Sequence, residues 1–359
     1  MSPAVFLVTG LDATAMTSVV LGLLVDQPTP VVVSHTLNDQ GLVRTVSDLS
    51  GTIERELVHL DHDCLSCAIR HDVVPTLERL VREPWETVIA CLPAGADAMQ
   101  VCRALAAEPG RLGSAEVSAV LAALDSSQLG DDLTGPDLLG ERGLDRYADD
   151  DRGVAEVLGA LVEHADVVAV CGPGADPVHL GLVRALARPG AVLVDDWTGF
   201  DSATIRCGAH DHAAIEAWTA DVPAVGTSPV PDGVWRLVLH SDRPMHPARF
   251  GEQVETLGSG QFRTRGAFWV PTRPQTLCQW DGGGGQLSIG TVRRWQPGEA
   301  PCSRLVMTGL LEHGDPRAEL QEAFCSALVS TEEIAARGHA WEVSSDGLEP
   351  WLGRVGQLG

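Results

Sequence analysis

Two cysteines that stand three positions apart lie in a histidine-rich segment of this sequence. Cys64 and Cys67 form a Cys-x-x-Cys pair, and His59, His62 and His71 flank it. Thiolates and imidazoles are the usual zinc ligands in proteins, and a pair with this spacing at the start of a helix can hold one ion. The segment therefore predicts a zinc site with Cys64, Cys67 and His62 as ligands, and with His59 and His71 as weaker candidates.

Two other interpretations of the cysteine pair stay open. A Cys-x-x-Cys pair also suits thiol–disulfide exchange, in which Cys64 and Cys67 would oxidise to a disulfide. The two cysteines could also be buried or incidental residues without chemistry. The spacing does not identify the remaining zinc ligands.

A second and weaker metal-binding cluster follows much later in the chain. Cys207, His210 and His212 lie within six residues of one another and combine the same ligand types. Other cysteines stand on apolar stretches or near their ends and are expected to be small core residues. Examples are Cys91, Cys171 and Cys302.

The segment after the first apolar stretch is placed like a phosphate-binding loop but lacks its central residues. A working loop has the pattern Gly-x-x-x-x-Gly-Lys-Ser/Thr, and its backbone amides, lysine and hydroxyl hold the phosphates and a magnesium ion. Here Gly10 and Thr17 keep their places, whereas Ala15 and Met16 replace the second glycine and the lysine. Asp12 adds negative charge where an anion would bind. We expect tight Mg-nucleotide binding to be severely weakened.

Two interpretations of this loop remain. It is either a residual nucleotide pocket or an ordinary turn from a strand into a helix, with Asp12 or Thr14 as the helix cap. The residues of the residual pocket would be Gly10, Thr14, Ala15, Met16, Thr17 and Ser18.

Composition limits the compartment and the partners of the chain. All 25 basic residues are arginine, and the net charge is −24 at pH 7. Such a charge repels phosphate backbones, so direct nucleic-acid binding is not expected. The N-terminus has no basic leader, the nine cysteines are an odd number, and no apolar run reaches the roughly 18–20 residues that span a bilayer. These features predict a cytoplasmic protein with reduced thiols and no membrane segment.

The elements that must position these residues are predicted from the hydrophobic pattern. Short apolar stretches alternate with helical segments at residues 5–9, 31–34, 87–92, 117–124, 167–171 and 191–195. Near-continuous apolar strands are typical of a parallel sheet that helices bury on both faces. The pattern predicts a doubly wound, mostly parallel α/β domain over residues 1–199.

The rest of the chain predicts a linker and a smaller α+β domain. Residues 200–232 are rich in Gly, Pro, Ser and Thr without clear periodicity, which indicates a linker. The second domain is predicted over residues 233–359. Its strands are expected at 234–240, 261–270, 275–280 and 304–310, and its helices near 246–257 and 315–328.

Charge is distributed unevenly along the chain. Residues 125–166 carry 12 acidic residues against three arginines, which predicts a solvated or mobile surface segment. Residues 233–308 carry nine arginines against five acidic residues. The C-terminal domain is therefore the more basic part of a strongly acidic protein.

Taken together, these motifs resemble the CobW-like family of GTPases and zinc metallochaperones over most of the chain. The strongest parts are the Cys64–Arg70 segment and the C-terminal half, which has the family's Arg-Pro and R-x-x-G-x-x-W elements. The matching C-terminal residues are Arg243, Pro244, Arg263, Gly266 and Trp269. The resemblance implies a P-loop-NTPase-like domain, a CobW C-terminal-type domain, bound zinc, and GTP hydrolysis with Mg²⁺.

Several motifs that the family implies are altered here. The C-x-C-C metal motif has Ser66 between its cysteines, so two thiols remain where three are expected. The E-x-x-G motif starts with Leu92 and keeps only Gly95, and the segment Cys171–Gly174 stands where the guanine-reading N-K-x-D motif belongs. Together with the missing lysine, these losses argue against ordinary GTP hydrolysis and predict a pseudo-GTPase.

A narrower resemblance concerns residues 64–72, which have the pattern C-x-S-C-x-I-R-x-D. They are similar to an actinobacterial CobW-like branch that recruits the ribosome hibernation factor under zinc limitation. This implies a zinc-responsive adaptor whose partners are the ribosome and that factor, reached mainly through protein contacts. One alternative is a zinc metallochaperone that still hydrolyses GTP, with Arg44 or Arg70 replacing the lysine. The third is a thiol–disulfide switch.

Overall fold

The computed structural model describes residues 2–38, 40–60, 62, 64–144, 150–206, 208–220, 229–337 and 341–356. The chain divides into two compact units. Unit 1 comprises Met1–Leu129, Leu138–Arg152 and Val157–Thr219. Unit 2 comprises Gly130–Asp137, Gly153–Glu156 and Ala220–Gly359. Residues 200–219, in the first part of the predicted linker, belong to unit 1, where Ile205 and Ile215 are buried.

Unit 1 is built on a sheet that has eight strands within the described residues. They are β1 (Ala4–Gly10), β2 (Pro30–Asn38), β3 (Gly41–Asp48), β4 (Gly51–Val58), β5 (Thr87–Cys91), β6 (Glu116–Asp125), β7 (Val167–Cys171) and β8 (Val192–Val194). The order is β4-β3-β2-β5-β1-β6-β7-β8, and the strands from β2 to β8 in this order run parallel to their neighbours. The predicted mostly parallel α/β fold is confirmed.

Helices cover both faces of this sheet because its central strand is apolar on both sides. Val5 and Leu7 of β1 pack into one core, and Phe6 and Val8 pack into the other. The helices of this unit are α1 (Ala13–Asp26), α2 (Leu65–Ala68), α3 (Val74–Leu80), α4 (Ala98–Ala107), α6 (Val154–His164), α7 (Pro177–Leu186) and α8 (His212–Ala220). Helix α5 (Leu129–Thr134) lies almost entirely in the Gly130–Asp137 segment of unit 2. A π-helical turn, Ile69–Val73, joins α2 to α3.

The antiparallel β3–β4 extension at the edge of the sheet is not predicted by the sequence. Most residues of β4 are exposed, so the strand shows no apolar face to signal its presence. Its pairing with β3 is supported by charge, since Arg44 on β3 forms ion pairs with Glu54 at 2.7 Å and with Glu56. Charged side chains of this kind are common on exposed edge strands.

Unit 2 contains an antiparallel sheet in the order β12-β11-β10-β13-β9. Its strands are β9 (Val234–Ser241), β10 (Phe262–Phe268), β11 (Thr276–Gly283), β12 (Gln286–Arg294) and β13 (Ser303–Leu310). Its helices are α9 (Pro247–Gly258), α10 (Arg317–Ala327), α11 (Thr331–Arg337) and α12 (Glu349–Leu352). The predicted α+β architecture is confirmed. Strand β12 was not predicted from the sequence, because its residues are only half-buried or exposed and show no apolar pattern.

An aromatic cluster forms the core of unit 2. The rings of Phe250 and Phe268 stack with centroids 4.8 Å apart, and Trp280 meets Phe250 edge-on at 5.9 Å. Phe250 lies on α9, so these contacts fix the helix against the sheet. Aromatic pairs in this geometry add about 0.5–1.5 kcal/mol each beyond the area they bury.

The acidic stretch 125–166 was predicted to be solvated or mobile, and this is wrong for several of its described residues. Asp150, Glu163 and Asp166 are buried. Asp150 pairs with Arg152 at 2.7 Å, and Asp166 pairs with Arg188. Pairing with arginine offsets the cost of burying the Asp150 and Asp166 carboxylates. A count of charges along the sequence does not show which charges form such pairs. Residues 145–149 of this stretch lie outside the described part of the chain.

None of the described helices is long and apolar enough to cross a membrane.

Candidate functional site

The Gly10 loop is a tight turn from β1 into α1. Asp12 caps the helix, and its Oδ1 accepts a hydrogen bond from the Ala15 backbone N–H at 2.7 Å. This N–H is one of the donors that a bound phosphate would use in a working loop. A Cβ on Gly10 would approach the Ala123 carbonyl oxygen of β6 to 2.6 Å, so the glycine is needed for strand packing. The geometry is that of the capped turn, the second interpretation given above.

Met16, in the position of the missing lysine, is part of the hydrophobic core. Its side chain is 4% exposed and packs in the cluster that includes Phe6 and Val8. The neighbouring hydroxyls are used inside the helix: Thr17 Oγ1 donates to the Ala13 carbonyl at 2.7 Å and Ser18 Oγ to the Thr14 carbonyl at 2.9 Å. The residue expected to contact phosphates therefore stabilises the fold instead.

The electrostatic environment of this turn is negative. Burial, together with the nearby carboxylates of Asp12 and Asp125, raises the pKa of the Cys171 thiol to about 11. These groups stand at the carboxyl ends of β1, β6 and β7, the edge at which α/β proteins usually bind ligands. A triphosphate would meet like charge here.

A pocket of about 630 Å³ lies beside the segment that replaces the guanine motif. Cys171, Gly172 and Pro173 line one part of it, and carboxylates line another. Those acidic residues are Asp26, Asp195 and Asp196. The pocket has room for a small molecule, but three aspartates disfavour an anionic one.

The two arginines proposed to replace the lysine have other surroundings. Arg44 bonds to Glu54, Glu56 and Asp72, so carboxylates neutralise its charge on β3. Arg70 is exposed on the π-helical turn. Neither position supplies a positive charge to the β1–α1 turn in this structure.

Cys64 and Cys67 lie at the start of a helical segment that runs from Leu65 through α3. Cys64 is the N-cap residue of α2, and its Sγ accepts a hydrogen bond from the Cys67 backbone N–H at 3.3 Å. Both cysteines are half-buried and form no disulfide. Leu65 and Ile69 are buried beneath them and anchor the segment to unit 1. The thiols thus occupy a fixed position near the surface.

The histidines predicted to complete this site are all exposed. His59 follows β4, His62 precedes α2 and His71 lies on the π-helical turn. Within the described residues, Cys64 and Cys67 do not form a group with a third His, Cys, Asp or Glu in which all ligand atoms lie within 4.8 Å of one another. Asp61 and Asp63 lie outside the described residues.

Asp72, the last residue of the C-x-S-C-x-I-R-x-D pattern, holds this helical segment to the sheet. Its Oδ1 lies 2.8 Å from Nε2 of His35 on β2, and its Oδ2 accepts from Arg44 on β3. All three side chains are buried or nearly so. The aspartate therefore positions the cysteine-bearing segment through charge-assisted hydrogen bonds.

The second predicted cluster has a different third member from the one that the sequence suggests. His210 and His212 lie beside Cys102 of α4, and the ligand atoms of these three residues are within 4.8 Å of one another. Cys207 lies outside the described residues. Sequence analysis missed Cys102 because it stands on the buried face of an amphipathic helix, more than 100 positions from the histidines.

Comparisons with known proteins identify relatives for both parts of the chain. Residues 234–328 match the family model for the cobalamin synthesis protein cobW C-terminal domain. The protein named "Zinc chaperone Rv0106" of Mycobacterium tuberculosis is 27% identical and aligns over 98% of this chain and 94% of its own length. An uncharacterized protein of Mycobacterium bovis, Mb0109, matches with the same figures. These matches support a CobW-like assignment.

Two solved structures are similar over 92% of this chain and their whole length. One is the Zn(II)-bound YjiA GTPase from E. coli, with a TM-score of 0.38 and 14% identity. The other is a Zn(II)-bound triple mutant of YjiA, with a TM-score of 0.40 and 15% identity.

Proposed function

We propose that this protein is a CobW-like zinc-handling protein, of the metallochaperone type, that carries zinc at Cys64 and Cys67. The observation that carries the proposal is the position of these thiols, half-buried at the start of an anchored helical segment. Two fixed thiols leave coordination positions open for ligands of a partner, which suits transfer of the ion by ligand exchange. A relative that aligns over nearly the whole chain is named a zinc chaperone, which supports zinc as the cargo.

The β1–α1 turn supports a further part of this proposal, that zinc handling here does not depend on ordinary GTP hydrolysis. Met16 is buried, Asp12 occupies a donor that a phosphate needs, and the surrounding charge is negative. Isothermal titration with GTP and Mg²⁺ tests this part. We expect no binding in the micromolar range or tighter, and sub-micromolar affinity with measurable turnover would establish the GTP-hydrolysing alternative instead.

Zinc stoichiometry tests the carrier site. Protein purified under reducing conditions and equilibrated with Zn²⁺ should lose about one bound ion per chain in the Cys64→Ser/Cys67→Ser variant. Cys325→Ser is the matched control, because Cys325 is an exposed cysteine on α10. If the double variant binds as much zinc as the parent and the control, the carrier site is not at these cysteines.

A second candidate function is the zinc-responsive adaptor that acts on the ribosome and its hibernation factor in the cytoplasm. It is favoured by the segment 64–72, whose helix presents Ser66, Arg70 and His71 to solvent while Asp72 fixes it from beneath. Affinity capture from zinc-replete and zinc-starved cells tests it. Zinc-dependent recovery of ribosomal proteins, lost in an Arg70→Ala/His71→Ala variant, would support the adaptor; equal recovery in both states would remove it.

A further inference from the structure

Three potential metal ligands from two distant parts of the sequence meet in unit 1. Cys102 comes from α4, and His210 and His212 come from the entry into α8. Their ligand atoms lie within 4.8 Å of one another. We propose that Cys102, His210 and His212 form a second zinc site, separate from Cys64 and Cys67.

The orientation of His210 is that of a metal ligand. Its Nδ1 lies 2.9 Å from Oδ2 of Asp166, and both side chains are at least 95% buried. Asp166 is itself fixed, because it accepts a hydrogen bond from the Val120 backbone N–H at 2.7 Å and pairs with Arg188. A carboxylate that binds Nδ1–H leaves Nε2 as the unprotonated donor, the arrangement that commonly supports zinc-binding histidines.

Both histidines have a buried ring nitrogen without a hydrogen-bond partner among the described residues. These atoms are His210 Nε2 and His212 Nδ1. A buried polar atom without a partner costs roughly 1–3 kcal/mol, so native structures seldom keep two of them side by side. A shared zinc ion would satisfy both nitrogens at once.

The two imidazole rings of this cluster lie next to each other. The ring of His212 stacks beside that of His210, with centroids 6.1 Å apart. This arrangement brings a nitrogen of each ring close to the Cys102 Sγ.

Cys102 supplies the soft donor of the set. It is 3% exposed and lies on the buried face of α4. When Zn²⁺ binds, an S–Zn bond forms and the thiol proton is released to solvent, so the bound thiolate reduces the charge of the ion by one.

The ligand set and its cavity favour zinc over the hard cations. One thiolate and two imidazoles suit Zn²⁺, whereas Mg²⁺ and Ca²⁺ prefer oxygen ligands. The three residues line a pocket of about 250 Å³ that Arg111 and Glu116 also border. The pocket leaves space for a fourth ligand, such as water.

Metal binding in the Cys64→Ser/Cys67→Ser background tests the second site separately from the carrier site. We expect this variant to retain about one zinc per chain after equilibration with Zn²⁺. With Co²⁺ as the probe, it should show a thiolate-to-cobalt charge-transfer band. Adding Cys102→Ala should remove the band and lower metal affinity at least tenfold, and His212→Ala should lower affinity similarly.

The control in the same background is Cys278→Ala, which removes another fully buried cysteine, in β11. It should keep both the bound zinc and the cobalt band. Because His212 is only half-buried, its alanine variant tests the site even if Cys102→Ala perturbs folding. A background variant without metal would overturn the second site and leave the carrier site standing. Retention of the thiolate band in Cys102→Ala would also overturn it.

Discussion

Single residues determine what the carboxyl end of the unit 1 sheet can bind. Asp12 occupies the Ala15 amide donor in the first turn of α1, and Asp125 adds a second carboxylate near Cys171 in a chain without lysine. Phosphate binding at a helix start needs free amides and positive charge. Asp12 occupies one of these amides and Met16 supplies no positive charge, so both residues weaken phosphate binding.

The variant Met16→Lys tests directly whether the β1–α1 turn can still bind phosphate. The side chain would enter an apolar core, so we expect the free energy of unfolding to fall by about 2–4 kcal/mol. Urea denaturation with and without Mg-GTP measures it, and GTP should not raise the midpoint. Met16→Leu, which keeps an apolar side chain of similar volume, should cost less than about 1.5 kcal/mol. A stable lysine variant protected by GTP would show that the phosphate pocket persists.

A buried carboxylate gives unit 2 a pH-dependent contribution to stability. Asp346 accepts hydrogen bonds from Arg273 at 2.9 Å and from Thr272 at 2.7 Å, and its side chain has no solvent exposure. Burial raises the pKa of Asp346, but these hydrogen bonds outweigh burial and the pKa is lowered. A lowered carboxyl pKa stabilises the fold above the unfolded-state value of about 3.9, and the contribution is lost as the pH falls through the folded-state value.

Asp346→Asn should therefore destabilise the protein by about 3 kcal/mol at pH 7 and by clearly less at pH 3. Urea denaturation at the two pH values measures the difference. Asp242→Asn is the control, since the Asp242 side chain is 91% exposed, and we expect little change at either pH. An equal loss for Asp346→Asn at both pH values would mean that shape, and not charge, decides the effect.

At the scale of elements, strand β10 explains the R-x-x-G-x-x-W pattern by packing. Arg263 is buried and forms an ion pair with Asp281 of β11 at 2.6 Å. A Cβ on Gly266 would overlap the backbone of β13, at the Arg304 carbonyl oxygen. The motif thus fixes the close approach of β10 to its two neighbours.

Gly266→Ala should lower the free energy of unfolding by about 1–3 kcal/mol, because β10 and β13 must separate to admit the methyl group. Gly290→Ala in β12 is the matched control, since no atom lies within 4 Å of a Cβ there. Its effect should stay within about 0.5 kcal/mol. Thermal or urea unfolding measures the stability of both variants. Equal stabilities would refute the packing role of Gly266.

At the scale of the whole molecule, the arginines of unit 2 serve mainly internal pairing. Among the described residues, at least five of them form ion pairs with carboxylates of the same unit. They are Arg249 with Glu333, Arg263 with Asp281, Arg273 with Asp346, Arg293 with Glu299, and Arg317 with Asp315. The excess of arginine over acidic residues in residues 233–308 therefore does not produce an equal excess of exposed positive charge.

Unit 2 also depends on chain that lies far upstream of it in sequence. Gly130–Asp137 and Gly153–Glu156 belong to this unit, and the β11–β12 turn packs against them at Gly135 and Ala155. A fragment of residues 229–359 would lack both segments. We expect faster amide hydrogen exchange in β11 and β12 of the fragment than in the full chain, with β9 at the other edge of the sheet as an internal control. Equal protection in fragment and full chain would contradict this.

Local patterns in the sequence correctly predicted the apolar strands β1, β2, β5, β6, β7 and β8 and four strands of unit 2, and the sequence shows directly that the phosphate-loop lysine is missing. These are local properties: a run of apolar residues or the identity of one residue fixes them wherever the chain folds. The position of Cys64 and Cys67 at the start of a helix was also local, because the N-cap and the first turn are neighbours in sequence.

Tertiary structure alone decided which distant residues meet. Strand β4 is held to β3 by the ion pairs of Arg44 with Glu54 and Glu56, and it has no buried apolar face for a sequence pattern to detect. Cys102 lies close to His210 and His212 only because α4 and the chain that enters α8 pack together. The backbone N–H of His210 donates a hydrogen bond to the Ser118 carbonyl of β6 at 3.0 Å, which holds this part of the chain to the sheet. A ligand set of this kind has no spacing rule, since the packing of helices on the sheet creates it.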